Sequence, residues 1–245
     1  MRGLILAVQF LTRLPTPQLA DFKPEWLAAS ARWFPAVGAI VGALLLAALR
    51  LGSLIDPWLA ALLALLAWVM VTGGLHLDGL ADLSDALGAA HRSRERFFEV
   101  LKDPHLGSFG VLSLILILAV AAKLVLLMLA ARHGGPAWGL LLVPAWARGF
   151  AVAWSATLPA IAPGSGERFA WRRDWAGMGL NLAALLALSA WLAPALLLAP
   201  LAGLAWWAFL KRRLGGMTGD CLGAGVELCE IAMLGLLLWR VPGWI

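Results

Sequence analysis

Residues 57–85 read PWLAALLALLAWVMVTGGLHLDGLADLSD. No charged side chain occurs between Pro57 and Leu77, and three aspartates then arrive at 78, 82 and 85. A bilayer-crossing helix needs about 20 consecutive apolar residues. The run therefore predicts a membrane span over 57–77 that opens directly into an acidic stretch. On a helix turning 100° per residue, Asp78, Asp82 and Asp85 share one stripe, within about 60° of arc. Like charges on one stripe repel. A divalent cation held between the carboxylates relieves that repulsion, because Mg²⁺ takes carboxylate and phosphate oxygens together. A solvated polar helix end is the plainer alternative. The metal reading is preferred, because such clusters are rare beside a bilayer and Gly73, Gly74 and Gly79 stand next to the stripe.

The rest of the chain agrees with a membrane setting. Of 245 residues, 62% are hydrophobic and 13% charged, with a mean hydropathy of +0.87. A soluble domain carries about a quarter charged residues, so this chain has too little polar material to cover a core with solvent-facing surface. The expected fold is all-α: a single polytopic bundle over 1–245, with an amphipathic N-terminal helix and an interfacial helical loop. Seven apolar segments are expected to span, near 34–50, 57–77, 107–131, 137–160, 177–193, 195–210 and 222–240. Small residues four apart, such as Gly38 and Gly42 or Gly219 and Gly223, let helix backbones approach closely.

With seven spans, alternate loops collect fourteen Lys and Arg, from Arg2 and Arg13 through Arg92–Arg96 and Lys102 to Lys211–Arg213. The opposite loops hold Arg50, Arg132 and Arg240. Positive loops stay inside, which puts the N-terminus and the 78–106 loop in the cytoplasm and the C-terminus outside. The basic balance does not indicate nucleic acid, since the longest basic run is Lys211–Arg213 and no nucleic-acid motif is present. Cys221 and Cys229 lie roughly 12 Å apart along a helix, too far for a disulfide. The first residues show no convincing signal-cleavage site.

Two further stretches carry chemistry. Arg94–Leu101 reads as a short amphipathic helix at the interface. Lys102, Asp103 and His105 follow it, and Pro104, Gly107 and Gly110 lead into the next span. A phosphate could meet Lys102 and the exposed amides of that helix start; an ordinary interfacial loop is the alternative. Further on, Lys211-Arg-Arg-Leu-Gly-Gly-Met-Thr-Gly-Asp220 precedes a helix and forms an anion cradle. Asp220 and Glu227 share a face, with Glu227 roughly 10 Å deeper in the membrane. A carboxylate there needs a partner. Lys123 and Arg148, both inside spans, could supply it as part of a site or as a plain ion pair between helices. Glu230, roughly 80° around the same helix, reads as structural. His76 reads equally as a packed side chain or a catalytic base.

The blocks Phe10-Leu-Thr-Arg-Leu-Pro-Thr-Pro17, Phe34-Pro-Ala-Val-Gly38, Gly73-Gly-Leu-His-Leu-Asp-Gly-Leu-Ala-Asp82, Lys102-Asp103 and Gly215-Gly-Met-Thr-Gly-Asp-Cys-Leu-Gly223, with Glu227, together resemble the cobalamin synthase family of adenosylcobinamide-GDP ribazoletransferases. The resemblance covers nearly the whole chain. It departs at Ala162-Pro-Gly-Ser-Gly-Glu-Arg168, where the family pattern has Ala-Arg-x-x-Gly-Leu-Gly. It implies that the 3′-hydroxyl of α-ribazole, or of its 5′-phosphate, attacks the corrinoid-side phosphorus of adenosylcobinamide-GDP. GMP leaves, Mg²⁺ is required, and the reaction is the last assembly stage of vitamin B12. It also implies a bacterial cytoplasmic (inner) membrane protein with its site facing the cytoplasm.

Carried onto this sequence, the resemblance makes Asp78, Asp82 and Asp85 the metal ligands. His76, Asp85, Asp220 and Glu227 become the catalytic candidates. Lys102, Lys211 and Arg212 become the phosphate-neutralising cations, with Asp103, Arg148 and Thr218 as further substrate contacts. The acidic stripe is also similar to the motif of CDP-alcohol phosphotransferases, but Leu75 stands where that family has Asp and Ala81-Asp82 where it has Ala-Arg. A membrane transporter and a lipid phosphatidyl-group transferase are the rival readings. The acidic motifs gathered at one face favour the enzyme. A homo-oligomer is left open by the sequence.

Overall fold

The computed structural model describes residues 2–19, 23–90, 93–114, 120–133, 137–171 and 173–239. Among these the chain is helical, and the one β feature is an isolated parallel bridge between Ala160 and Met217.

Local signals decide where the central helix pair starts and stops. Asp56 caps α4 (Pro57–Thr72) by accepting the Trp58 amide at 2.7 Å, and Pro57 pre-sets the first turn. The helix ends at Thr72 because Gly73 and Gly74 both take positive φ, 62° and 73°. That conformation is costly for a residue with a Cβ. The chain then leaves at 84° as α5 (Leu75–Ala89). This corrects the expected span 57–77. Its last residues form a glycine elbow, and α5 runs nearly perpendicular to α4, carrying the aspartates with it.

Among the described residues, five helices are long and apolar enough to cross a bilayer, or six if the bent α4–α5 pair counts as one span. The first is α3 (Phe34–Ser53), extended back to Glu25 by α2 (Pro24–Ser30) and a tight turn. The others are α9 (Val143–Thr157) with its preceding turn, α11 (Trp175–Leu192), α12 (Ala199–Phe209) with its flanking turns, and α13 (Gly219–Leu238). Of the expected span 107–131, α7 (Ser108–Leu112) and α8 (Val120–His133) are described, and 115–119 lies outside the described residues. Among the described residues the expected count of seven spans is therefore not confirmed.

The two expected amphipathic helices are present. In α1 (Arg2–Leu11), Leu6, Ala7, Val8 and Leu11 face the core, and α6 (Arg94–Leu101) buries Phe97 and Leu101. The core runs along α3, α9 and α13. By contrast α11 and α12 form an apolar outer face, with Trp191 79% and Leu180 71% exposed, as suits lipid contact.

Helix α3 lies backbone to backbone on α9. A Cβ added to Gly38 would run into the Pro144 carbonyl and the Ala145 backbone, whereas one added to Gly235 in α13 meets nothing. Gly38→Ala is expected to destabilise by about 1–3 kcal/mol through overpacking. Gly235→Ala should be neutral or stabilising by up to about 1 kcal/mol, from helix propensity. Melting in detergent tests the contrast, and equal melting temperatures would refute the close packing.

Several connections meet at one end of the bundle. The Met217 amide donates to the Pro159 carbonyl at 2.9 Å, and the Ile161 amide to Met217 at 3.0 Å. Arg94 reaches the Leu214 carbonyl at 3.5 Å. In α10 (Ser165–Ala170), Gly166 lies against Gly219. The α4–α5 elbow opens at this same end.

Candidate functional site

The site grows from the crossing of α5 and α13. Two glycines allow it: a Cβ at Gly79 would lie 3.0 Å from Asp220 Cα, and one at Gly223 would lie 3.4 Å from His76 Cα. So close an approach brings Asp78 and Asp82, one turn apart on α5, beside Asp220 in the first turn of α13. Thr218 sets that turn. Its Oγ1 accepts the Cys221 amide at 3.2 Å and donates to Asp220 Oδ2 at 3.5 Å. Thr218, expected as a substrate contact, is here a helix cap that also steadies Asp220.

The cavity beneath the crossing has Asp78 and Asp220 on one side and His76, Arg148 and Ser155 deeper in. Phe10, Phe34 and Phe169 form part of its wall. Their rings interlock, with Phe10 and Phe34 stacked at 6.0 Å and Phe169 edge-on to both at 5.0 and 5.1 Å. None of the three was singled out from sequence. Phe10 and Phe34 lie inside recognised blocks, but Phe169 follows directly on the divergent stretch Ala162–Arg168 and had no signal.

Half-buried Asp82 carries the electrostatic signature of the site. Burial first, and then repulsion from Asp78, Asp220 and Asp85, pushes its carboxyl up from the usual aspartate range to about 6. Among the described residues no three His, Cys, Asp or Glu side chains form a ready-made metal cage. The donor set nonetheless fits a hard divalent cation: hard carboxylate oxygens in mutual repulsion, with no cation of the protein bonded to Asp78, Asp82 or Asp220 among the described residues.

Asp85 has a different occupation. Its carboxylate accepts the Gly107 amide at 2.7 Å and the Gly110 amide at 2.9 Å, tying the loop after α6 to α5. In that loop Asp103 accepts the His105 amide at 3.0 Å and pairs with the His105 ring at 2.7 Å, which holds the Asp103 carboxyl below its usual range. Lys102, Lys211 and Arg212 are all exposed and none lines the cavity. Lys211 lies over the Trp207 ring, 4.6 Å from its centroid.

Below the cavity lies a buried charge network. Lys123 donates to Glu227 at 2.7 Å and to Glu230 at 2.6 Å, with its ammonium 4.0 Å from the centre of the Trp68 ring. Arg148 donates to Glu230 at 2.7 Å and to the Pro144 carbonyl at 3.1 Å, and it approaches His76 Nδ1 at 3.5 Å. Glu227, expected beside Asp220 in the catalytic set, does not line the cavity and is ion-paired in the bundle interior. Glu230, read from the sequence as merely structural, is the hub that joins the two cations.

Comparisons with known proteins fit this arrangement. The family profile described as cobalamin-5-phosphate synthase matches residues 3–238. An adenosylcobinamide-GDP ribazoletransferase of Laribacter hongkongensis is 62% identical over 99% of both chains. The one from Thiobacillus denitrificans is 51% identical over 96% of this chain and 94% of its own. The one from Brevibacillus brevis is 34% identical over 97% and 98%. No solved structure matches. With the family profile running through every helix from α1 to α13, and the Asp78, Asp82 and Asp220 cluster falling inside it, this chain belongs to the cobalamin-5-phosphate synthase family.

Proposed function

We infer that this chain is an adenosylcobinamide-GDP ribazoletransferase. The 3′-oxygen of α-ribazole, or of its 5′-phosphate, bonds to the corrinoid-side phosphorus. The P–O bond to GMP breaks, GMP departs, and the hydroxyl proton is released. The observation that carries the reading is the α5–α13 crossing, which puts Asp78 and Asp220 on the wall of one cavity with Asp82 in electrostatic contact with both. Full-length similarity to ribazoletransferases supports it.

Transfer of a substituted phosphoryl group asks the protein mainly for positioning and charge neutralisation. Asp78, Asp82 and Asp220 are the residues that would hold Mg²⁺, which when bound neutralises charge on the phosphoryl oxygens. Asp85 keeps the Lys102 loop against α5, so that Lys102 can meet the nucleotide phosphates from the cytoplasmic side. Lys211 and Arg212 supply positive charge at the same end. The membrane is the bacterial inner membrane with the site on the cytoplasmic face. The cations gathered at the site end of the bundle, Arg94, Lys102 and Lys211–Arg213, support that orientation.

The deciding experiment uses purified protein in detergent with adenosylcobinamide-GDP, α-ribazole and Mg²⁺. GMP release matched by cobalamin product, and abolished by EDTA, is the expected result. Folded protein giving no product with α-ribazole or its phosphate would sink the assignment.

Asp82 also gives the metal requirement a pH dependence. Its carboxyl titrates at about 6 in the metal-free fold, against 3.8 for an ordinary aspartate. Between those values the folded state holds a proton that the unfolded chain lacks. The group therefore favours the fold at low pH, and that contribution is lost as pH rises through about 6. A bound cation takes the place of the proton. Apparent Mg²⁺ affinity should be flat above pH 7 and fall by about tenfold per unit below 6. A flat profile down to pH 5 would remove Asp82 from the ligand set.

A further inference from the structure

The cavity beneath the α5–α13 crossing is lined by two unlike sets of side chains. Asp78 and Asp220 belong to one. The rings of Phe10, Phe34 and Phe169 belong to the other, with Leu11, Leu222 and Val226, and none of these six side chains can make a hydrogen bond. Three separate elements supply the rings: the end of α1, the start of α3, and α10. Their mutual contacts pack those elements together, yet all three rings also border open space, and Phe10 is only half-buried. Charge neutralisation explains the carboxylates and leaves the aromatic wall without a task.

Size and polarity narrow what the wall can meet. At about 100 Å³ the cavity has no room for a corrinoid. An apolar cavity of about 150 Å³ takes one benzene, so this one takes the edge of a planar ring system. Two such ring systems take part in the reaction, the guanine of the donor and the benzimidazole of α-ribazole. Guanine carries a carbonyl and an amino group on the edge away from its sugar, and burying them against phenyl and leucyl side chains leaves hydrogen bonds unmade. The polar groups deeper in the cavity are already engaged in part: Arg148 donates to Glu230 and the Pro144 carbonyl, and Ser155 to the Val152 carbonyl. The benzimidazole carries two methyl groups on the corresponding edge and gives up no hydrogen bond there. Lys102, Lys211 and Arg212, the cations assigned to the GDP phosphates, are exposed and lie outside the cavity, which draws the nucleotide end of the donor elsewhere.

We propose that Phe10, Phe34 and Phe169 form the seat for the acceptor's base. The methylated edge of the benzimidazole enters against the three rings, and the ribose stays on the side of Asp78 and Asp220. Aromatic and methyl groups meeting phenyl rings gain both burial and ring contact. Phe169 is the specificity-determining ring of the three. It stands between this cavity and a second space of about 50 Å³ bordered by Ala28, Ala31 and Ala156, so it sets how far the edge of a base can enter. The proposal rests on the transferase reading for the identity of the acceptor, but the seat can be tested without turnover.

The test uses full-length protein in detergent with Mg²⁺ and compares α-ribazole with its analogue lacking both methyl groups. In the wild type the analogue should show a KM roughly tenfold higher, the worth of two buried methyl groups. Phe169→Ala should raise the KM of α-ribazole about tenfold, the usual cost of removing one ring from a base-stacking wall. It should also bring the two acceptors close together, while the KM of adenosylcobinamide-GDP stays near its wild-type value. If the alanine variant fails to fold, Phe169→Leu keeps an apolar side chain and should raise the KM of α-ribazole about threefold. Equal KM values for the two acceptors in the wild type would overturn the seat and leave the transferase reading standing. So would a variant that raises the KM of adenosylcobinamide-GDP as much as that of α-ribazole, the mark of a structural role. Protein that releases no GMP is titrated calorimetrically with each acceptor. Methyl-dependent binding that weakens in the Phe169 variant would uphold the seat and sink the transferase reading, and no binding of either acceptor would sink both.

Discussion

Asp82→Asn is expected to lower GMP release by a factor on the order of 10³ or more, with the helical fold retained. Stabilisation of developing phosphoryl charge by a carboxylate-held cation is worth several kcal/mol. Asp82 is the carboxylate on which burial and three neighbouring aspartates converge. The amide keeps its size and removes one charge from a crowded set. Repulsion within the set falls, so the metal-free variant should melt no lower than the wild type. Loss of activity without loss of stability is what separates this reading from a structural role. Asp85→Asn provides the contrast. Asp85 accepts two loop amides, at 2.7 and 2.9 Å, and an asparagine oxygen can replace only one carboxylate oxygen. That variant should slow turnover by loosening the 107–110 loop while leaving the Mg²⁺ concentration for half-activity unchanged. GMP release measured across a Mg²⁺ titration distinguishes the two. Wild-type turnover in Asp82→Asn would show that the α5 aspartates are not the site.

The difference between Asp82 and Asp85 also marks how far the sequence could be read. Both lie on one stripe of α5, as their spacing predicts, because helical periodicity fixes the face on which a side chain sits. It does not say what comes to meet that face. The partners of Asp85 are backbone amides more than 20 positions away, and glycine amides carry no sequence signal of that kind. The apolar run of α4 was legible for the same reason the stripe was, since composition alone demands a bilayer. The bend at its end was not: Gly73-Gly74 permits a left-handed elbow but equally permits a continuing helix, and only packing decides. That choice moved residues 73–77 out of the span and turned His76 toward Arg148. The anchoring of Glu230 by Lys123 and Arg148 joins residues 107 and 82 positions apart, and no local pattern encodes such a pairing. Sequence showed that Glu227 needed a cation, and Lys123 was among those it offered. Phe169 reached the cavity through a segment with no recognisable motif, so it could be found only from the fold.

Lys123→Met carries the largest expected loss of stability. Lys123 is 3% exposed, between Glu227 at 4% and Glu230 at 0%, and its ammonium bonds to both. Methionine nearly matches the length of the lysine stem, so little packing is lost and the effect is mainly electrostatic. Removing one partner of a buried ion pair costs about 3–5 kcal/mol, because the remaining charge is stranded out of water. For a chain of this size that corresponds to a fall on the order of 10 °C in the melting temperature. Glu230 keeps Arg148, so the stranded charge is Glu227, and Glu227 lines only a small interior space beside Lys123 and Trp68. The double variant Lys123→Met, Glu227→Gln removes one charge of each sign and leaves the Arg148–Glu230 pair balanced. It should recover at least half of the loss, since replacing a whole buried pair is often near neutral. Melting of the wild type, the single variant and the double variant in one detergent is the measurement. A double variant no more stable than the single would mean that Lys123 acts through packing on Trp68 and not through charge. A recovered double variant would show that α8 and α13 are held by charge balance, with Glu230 left free to aim Arg148. The same double variant should then turn over faster than Lys123→Met alone, because Arg148, which lines the cavity, keeps its place only as far as Glu230 holds it.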